Sequence, residues 1–394
     1  MQSYTLSDCQ PTNDAIFSSD FECGNLLYAI QIAEREYDLI VSPDPFQVYS
    51  QWFYFKIQNL RKGETIKFNV LNCTKATTLY KCGMKPMMFS EKENEFNGAD
   101  WHFIPEEATY MKTVYESNYW YRKNGIEQYL NNSKHYTLTF THTPEFDNDI
   151  IFFSMLRPYS FSRLYEFLYD TENLLKEQAI VDDDYTKESL YYYKTPNITY
   201  SRDILCFSKG GLPIDIIKIS ETNCKSTKKI IFVIARVHPC ETPGSYKVEQ
   251  LIRSLAKQNP ILKYYTFVIV PMINPDGVVC GNTRTDLNGN DLNRCWENPD
   301  KEKCEQIHKI KSYIKGLCET TQISLFCDFH GHSKLPNSFL FCCYKCEDGD
   351  GIWSKARVFP KILSKHSPYF SLNYCQFKVE VEKVNKIIRN PQVE

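Results

Sequence analysis

No stretch of this chain approaches 18 consecutive apolar residues, so no transmembrane helix is expected. Nor is there a surplus of either charge: 46 Lys+Arg stand against 48 Asp+Glu, a formal net charge of −2. A general nucleic-acid binder needs excess cations to displace the counterions of the phosphate backbone, so that class is not expected. Internal repeats and low-complexity tracts are missing, which sets aside repeat arrays. The mainly polar first fourteen residues lack the basic-then-apolar layout of a secretory signal, and the chain is expected to be cytoplasmic. Cysteine, 16 of 394 residues, is too sparse for a disulfide scaffold; thiols are expected, mostly buried as small apolar groups. Cys342, Cys343 and Cys346 come nearest to a metal knuckle, but without a second pair they read as ordinary strand and loop.

What the chain has in quantity is aromatic: 14% of residues, with 27 Tyr and 25 Phe. Hydrophobic residues at 42% and charged residues at 24% are globular values and argue against disorder. The length suits two or three domains. Segments 51–57, 65–71 and 136–140 alternate and are rich in β-branched and aromatic residues, which predicts strands with one wet face. Residues 1–160 are therefore expected to form an antiparallel β-sandwich domain. Beyond it, 162–179 has helical spacing, with Leu164, Phe167, Leu168, Leu174 and Leu175 on one side. The apolar runs 229–235, 266–272 and 323–329 read as strands buried on both faces, separated by helices over 246–256 and 300–318. That order predicts an α/β domain over 161–394 with a mixed, mainly parallel sheet.

In such a sheet, ligands gather beyond the carboxyl ends of the strands. Three polar clusters stand there: Arg236-Val237-His238-Pro239-Cys240-Glu241, Asn274-Pro275-Asp276-Gly277, and Asp328-Phe329-His330-Gly331-His332-Ser333. His238 and Glu241, three apart on a tight turn, can reach one cation, and His330 comes from a second strand end. Two imidazoles and a carboxylate leave a fourth position open, which suits catalytic zinc. His332 competes with His330 as the ligand. Each piece alone has an ordinary reading, a hydrogen-bonded histidine at a strand end above all; the joint pattern points to a metal. Between the clusters, 281–294 is a Gly/Asn-rich loop with Arg284 and Arg294, whose guanidiniums with an amide suit capture of a carboxylate. Asp291 is a candidate acceptor for the second nitrogen of a metal-bound histidine. The competing reading is a solvated loop.

Taken in order, His238-x-x-Glu241, Asn274-Pro275-Asp276-Gly277, Asp291-Leu292-Asn293-Arg294 and His330-Gly331-His332-Ser333 resemble the zinc carboxypeptidases of the M14 type, in particular the cytosolic carboxypeptidases, the tubulin deglutamylase group. Phe21-Glu22-Cys23-Gly24-Asn25-Leu26, Gln51-Trp52-Phe53-Tyr54-Phe55, Gly83-Met84-Lys85-Pro86 and Arg157-Pro158-Tyr159-Ser160 resemble that group's N-terminal β-sandwich. The resemblance implies one Zn2+ per chain, held by His238, Glu241 and His330. It implies Asn293 and Arg294 on the substrate's terminal carboxylate, Arg284 on the scissile carbonyl and its oxyanion, and Asp291 orienting a ligand histidine. The implied reaction is hydrolysis of the last peptide bond of acidic tails such as those of tubulin, by a monomer that binds no nucleic acid and no membrane. A cytoskeletal or ciliary location would follow from that substrate.

The resemblance also implies a glutamate general base late in the domain, in a Thr- or Ser-x-Glu context, and no such residue is found. Glu347, Asp348 and Asp350 sit in a Gly-containing turn; Glu380 and Glu382 lie in what resembles the preceding strand. The chain is therefore expected to lack the C-terminal part of the domain and to be poorly soluble by itself. Two alternatives stay open: a non-catalytic module that binds zinc and acidic tails, and a zinc deacylase of the aspartoacylase type.

Overall fold

The computed structural model describes residues 2–5, 15–47, 49–114, 125–130, 135–180, 189–222, 228–342 and 352–377. Two sheets form the N-terminal sandwich. One runs in the order β1 (Gln2–Thr5), β3 (Tyr28–Ala33), β4 (Glu36–Ile40), β6 (Ile66–Cys73), β10 (Tyr136–His142), β9 (Ala108–Lys112). The other runs β2 (Ile16–Ser18), β5 (Tyr54–Gln58), β11 (Ile151–Ser154), β7 (Met87–Ser90), β8 (His102–Phe103). Alternation places Leu138, Phe140 and His142 of β10 inward. The aromatic excess is spent between the sheets: Phe68 of β6 lies 5.0 Å from Phe140 and 5.2 Å from Phe153 of β11, centroid to centroid. The sandwich is not wholly antiparallel, as β1–β3 and β4–β6 pair parallel. The longer connections that precede β3 and β6 allow those strands to return in the same direction.

The third sheet has the order β12 (Tyr191–Lys194), β13 (Ile198–Phe207), β14 (Pro213–Glu221), β16 (Tyr265–Val270), β15 (Lys229–Ala235), β17 (Ile323–Phe329). It is mixed, as expected, but its parallel part is narrow: only β15–β16 and β15–β17 pair parallel. β12, β13 and β14 join antiparallel because short turns link them and leave no room for a crossover helix. Four helices matter below: α1 (Phe161–Glu177), α2 (Thr242–Ala256), α3 (Pro275–Val279) and α4 (Glu305–Thr320).

β15 explains itself by period two. Ile230, Phe232 and Ile234 pack with Ile307 and Ile310 of α4, while Val233 and Ala235 face the core that holds Val248 and Ile252 of α2. That second core continues into the aromatic core of the sandwich. Parallel pairing of β15 with β17, Ala235 opposite Phe329, brings both strand ends to one rim. His238 and His330 leave the sheet there.

Details depart from the sequence pattern for local reasons. Leu174 is 57% exposed, since it stands at the margin of the buried arc of α1 that Leu164, Phe167, Leu168 and Leu175 occupy. α4 starts at Glu305, because Asp300 first closes a turn by accepting the N–H groups of Glu302 and Lys303. Not all cysteines are thiols: the chain doubles back over 295–304 and joins Cys295 to Cys304 as a disulfide, with 6.5 Å between Cα atoms. Among the described residues, Cys23, Cys73, Cys206 and Cys240 are free and buried, in line with the apolar role, but Cys318, Cys327, Cys342 and Cys375 are half-buried and Cys82 and Cys280 exposed, so burial is less general than expected. Cys343 and Cys346 lie outside the described residues, as do the five late carboxylates named above.

α1 is tied to the sheet by a buried ion cluster. Arg202 of β13 donates from Nε (2.6 Å) and Nη2 (2.9 Å) to Glu172 of α1, and from Nη1 (3.0 Å) to Asp215 of β14. Removing the cation leaves two buried carboxylates facing each other. Arg202→Met is expected to cost about 3–5 kcal/mol in chemical denaturation, and adding Glu172→Gln should recover part of it. A loss under about 1 kcal/mol would show that the cluster does not anchor α1.

Candidate metal centre

The turn after β15 is built around a buried arginine. Arg236, 1% exposed, takes a left-handed backbone (φ 57°) and anchors it by donating to the carbonyls of Tyr159 (3.1 Å) and Pro239 (2.7 Å) and to Ser245 Oγ (3.0 Å). Two residues on, His238 is buried. Glu241 stands at the N-cap of α2, where Pro243 supplies a preset φ, yet its carboxylate makes no capping bond. It faces the histidines instead. His238 Nδ1 lies 2.9 Å from Glu241 Oε1 and His330 Nδ1 2.9 Å from Oε2, while the Gly331 N–H donates to Oε2 at 2.7 Å. The two rings sit 5.0 Å apart, and one donor atom from each of the three residues lies within 4.8 Å of the others.

Each imidazole has a carboxylate behind it. Asp291 Oδ1 accepts from His238 Nε2 at 3.3 Å; Asp328 Oδ2 accepts from His330 Nε2 at 2.8 Å. Each ring thus has a carboxylate at both nitrogens; the Nε2 contacts orient the imidazoles and turn both Nδ1 atoms to the centre. Burial would raise the Glu241 carboxyl, but hydrogen bonds and charge from His238 and His330 hold it well below the usual carboxylate range. Burial opposes ionisation of Asp291 too, and His238 and Arg284 overcome it, bringing its pKa down to about 2. Burial would lower His330, while Asp328 and Glu241 push it up to about 10.

The loop 281–294 brings in the rest. Asp291 also accepts from Arg284 Nε at 2.6 Å, so one carboxylate holds both a candidate ligand and the candidate carbonyl-polarising cation. Its backbone starts the short helical turn Leu292–Arg294. Asn293 Oδ1 accepts from Trp296 Nε1 at 3.1 Å, which directs the amide's donors elsewhere. Arg294 is 53% exposed along its side chain and lies 3.8 Å from Asp291.

All three expected ligands meet Arg284, Asp291 and Arg294 through side chains in one cluster, and Asn293 joins it through its backbone N–H, which donates to Asp291 Oδ1 at 3.0 Å. His332 does not: its Nδ1 accepts from the N–H groups of Lys334 and Leu335, and its ring lies against Phe339. Asp276 is structural, accepting from Ser208 Oγ (2.6 Å) and Gly210 N (2.9 Å) to fasten the β13–β14 turn, while Asn274 caps α3. Sequence reasoning missed Asp328. The signal was there, since residues 328 and 330 at the end of one strand share a face. It also missed Arg236, whose role depends on a backbone conformation that spacing does not reveal.

The chain matches the family model "Zinc carboxypeptidase" over residues 194–345 and the model "Cytosolic carboxypeptidase N-terminal domain" over residues 17–155. The chain belongs to the zinc carboxypeptidase family. Within that family it is 33% identical over 396 residues to cytosolic carboxypeptidase 1 of Gallus gallus, covering 93% of this chain and 30% of the relative. With cytosolic carboxypeptidase 2 of Danio rerio it shares 32% over 377 residues, 93% of this chain and 48% of the relative. The chain therefore spans about a third to a half of the length of these curated relatives. A metallo-carboxypeptidase of Burkholderia cenocepacia has the same fold, with a TM-score of 0.70 at 23% identity, covering 94% of this chain and 84% of that one. No helix among the described residues is long and apolar enough to cross a membrane.

The donor set of this zinc carboxypeptidase chain fits the metal in its family's name. Two neutral imidazole nitrogens and one carboxylate are the kind of set that leaves a coordination position open, and both histidines are oriented from behind. Asp328→Ala is expected to weaken zinc binding about 10- to 100-fold in a competition titration against a chromogenic chelator. Unchanged affinity would mean that the Asp328–His330 bond does not orient the ligand.

Proposed function

We propose that this chain is a zinc-dependent carboxypeptidase that takes single residues, glutamate foremost, from the C-termini of acidic protein tails such as those of tubulin. The observation that carries the reading is the shared role of Asp291, which joins the His238–Glu241–His330 centre to Arg284 in one hydrogen-bonded unit. A metal-binding side and a carbonyl-binding side are thereby held in fixed relation. The family and the names of the relatives support the reaction class; a cytoplasmic location, near the cytoskeleton or cilium, follows from the substrate proposed.

One Zn2+ per chain, held by His238, Glu241 and His330, would supply Lewis acidity and lower the pKa of water at the open position. Apart from the general-base glutamate, for which no residue is found, the other roles fall to this chain's own groups. Arg294, solvent-facing, and the Asn293 amide donors bind the terminal carboxylate and select a chain end. Arg284, pinned through Nε, keeps its two Nη groups for the scissile carbonyl oxygen, where negative charge develops. Asp291 stays ionised throughout the neutral range, given its low pKa, and so keeps both partners in place.

His330 must give up its proton to become a ligand. Zinc binding near neutral pH is expected to release about one proton from it and to weaken as the pH falls. Calorimetry in buffers of different ionisation enthalpy reads the proton count, and a count near zero would contradict the assignment. The reaction itself is tested with peptides ending in Glu, Lys and Leu, offered to the zinc-loaded chain and followed by mass. Loss of a terminal Glu that is fastest and stops with chelator supports the reading. Faster loss of Lys or Leu overturns the acidic preference. Binding of tubulin tails with no change in their mass overturns hydrolysis in favour of a tail-binding module.

A further inference from the structure

We propose that Asp44, Pro45, Phe46 and Tyr49 of the β-sandwich are part of the catalytic apparatus, with Asp44 as a positioning residue that sets Arg284 against the substrate carbonyl. This rests on the oxyanion role given to Arg284 above.

Asp44 lies about 240 residues before Arg284 and is 1% exposed. Its carboxylate takes three consecutive backbone N–H groups of the arginine loop: Thr283 N on Oδ1 at 2.6 Å, and Arg284 N and Thr285 N on Oδ2 at 2.7 and 2.8 Å. Thr285 Oγ1 adds a fourth bond at 3.1 Å. Successive N–H groups converging on one point form an anion-binding concavity, and here a side chain from the other half of the molecule fills it. Burial raises the Asp44 carboxyl above its ordinary value and these bonds offset part of that rise, so the buried group depends on the loop that wraps it.

Two more contacts from this part of the sandwich reach the same segment. The Tyr49 ring lies 5.6 Å from the Arg284 guanidinium carbon. Farther along, Pro45 and Phe46 lie against Gly289, which has a left-handed backbone (φ 74°) and where an added Cβ would meet the Phe46 ring at 2.5 Å. Just beyond Tyr49, the Gln51 and Trp52 N–H groups both donate to Thr283 Oγ1 at 3.0 Å. The arginine segment runs through Gly281-Asn282 and Asn288-Gly289 and has little regular structure of its own. Its backbone is fixed from the sandwich side, its guanidinium from the Asp291 side. Displacement of about 1 Å in a charge-stabilising group costs on the order of 10²-fold in rate, so a loop clamped at one end only would forfeit much of what Arg284 supplies.

The test is a double-mutant cycle on the zinc-loaded full chain, read by calorimetric affinity for a phosphonate analogue of a Glu-ending peptide and, separately, for free glutamate. The phosphonate carries tetrahedral oxyanion charge; glutamate needs only the terminal-carboxylate site. Asp44→Asn keeps the shape but sets an NH2 group against donors. It is expected to weaken the phosphonate about 10- to 100-fold and glutamate less than about 3-fold, and to lower kcat by the phosphonate factor with little change in KM. In an Arg284→Gln background the same substitution should weaken the phosphonate less than about 3-fold, because the group it positions is gone. Equal losses in both backgrounds, or parallel losses for phosphonate and glutamate, would make Asp44 merely structural and overturn the proposal. An Arg284→Gln chain that binds the phosphonate like the parent would instead overturn the role of Arg284 itself. Should Asp44→Asn not fold, Tyr49→Leu enters the same cycle with the same expected non-additivity.

Discussion

A chain carrying Glu241→Gln is expected to bind zinc about 10²- to 10³-fold more weakly than the parent and to turn over no measurable substrate at limiting metal. The magnitude follows from dividing the roughly 10–16 kcal/mol of a four-ligand protein zinc site among its ligands. The direction follows from the contacts. Glu241 is the single group that meets His238, His330 and the Gly331 N–H together. An amide in its place offers one acceptor where three donors point, and its NH2 opposes an imidazole. Because Glu241 makes no capping bond, α2 should form as before and the thermal transition should move little. Metal content by plasma mass spectrometry after dialysis against a weak chelator reads the outcome. A variant that retains the parent's zinc would show that the metal, if any, lies elsewhere.

Arg284→Gln should act on the other side of the scissile bond. Loss of one donor at a developing oxyanion costs about 10²- to 10³-fold in kcat. KM should change little, since the terminal carboxylate is assigned to Asn293 and Arg294. Arg294→Gln should do the reverse, raising KM more than it lowers kcat. The contrast is sharper than either loss alone, because unfolding would depress both constants in both variants. Steady-state kinetics on one Glu-ending peptide decide it, and a rise in KM for Arg284→Gln with kcat unchanged would exchange the two assignments. Removing Asp291 should combine features of both, as it faces His238 and Arg284 at once.

Much of this was legible in the sequence because it depends on short-range rules. Strands buried on both faces must read as continuous apolar runs, so β15 stood out and β16 was displaced by a residue or two; 323–329 does form β17, but at the edge of the sheet its residues are half-buried or exposed and not covered on both faces as expected. Parallel strands end together, so polar residues just past them had to share a rim, and His238, Glu241 and His330 do. What was not legible depends on distance or on backbone conformation. Nothing local to Asp44 says that its acceptors are used 240 residues later, and nothing local to Arg236 says that it turns left-handed. The direction of β12 to β14 hinged on how short their turns were, not on their composition. Cys295 and Cys304 met because the intervening loop closes on itself. Leu174 was misplaced by a few tens of degrees around α1, a margin that spacing cannot judge.

The most direct measurement is an anomalous difference map at the zinc K-edge from crystals of the chain grown with equimolar zinc. A single peak among His238 Nδ1, His330 Nδ1 and the Glu241 carboxylate, with Asp291 and Asp328 behind the two rings, is the predicted result. A peak at another cluster of side chains, or three such residues arranged around no peak, would contradict the account.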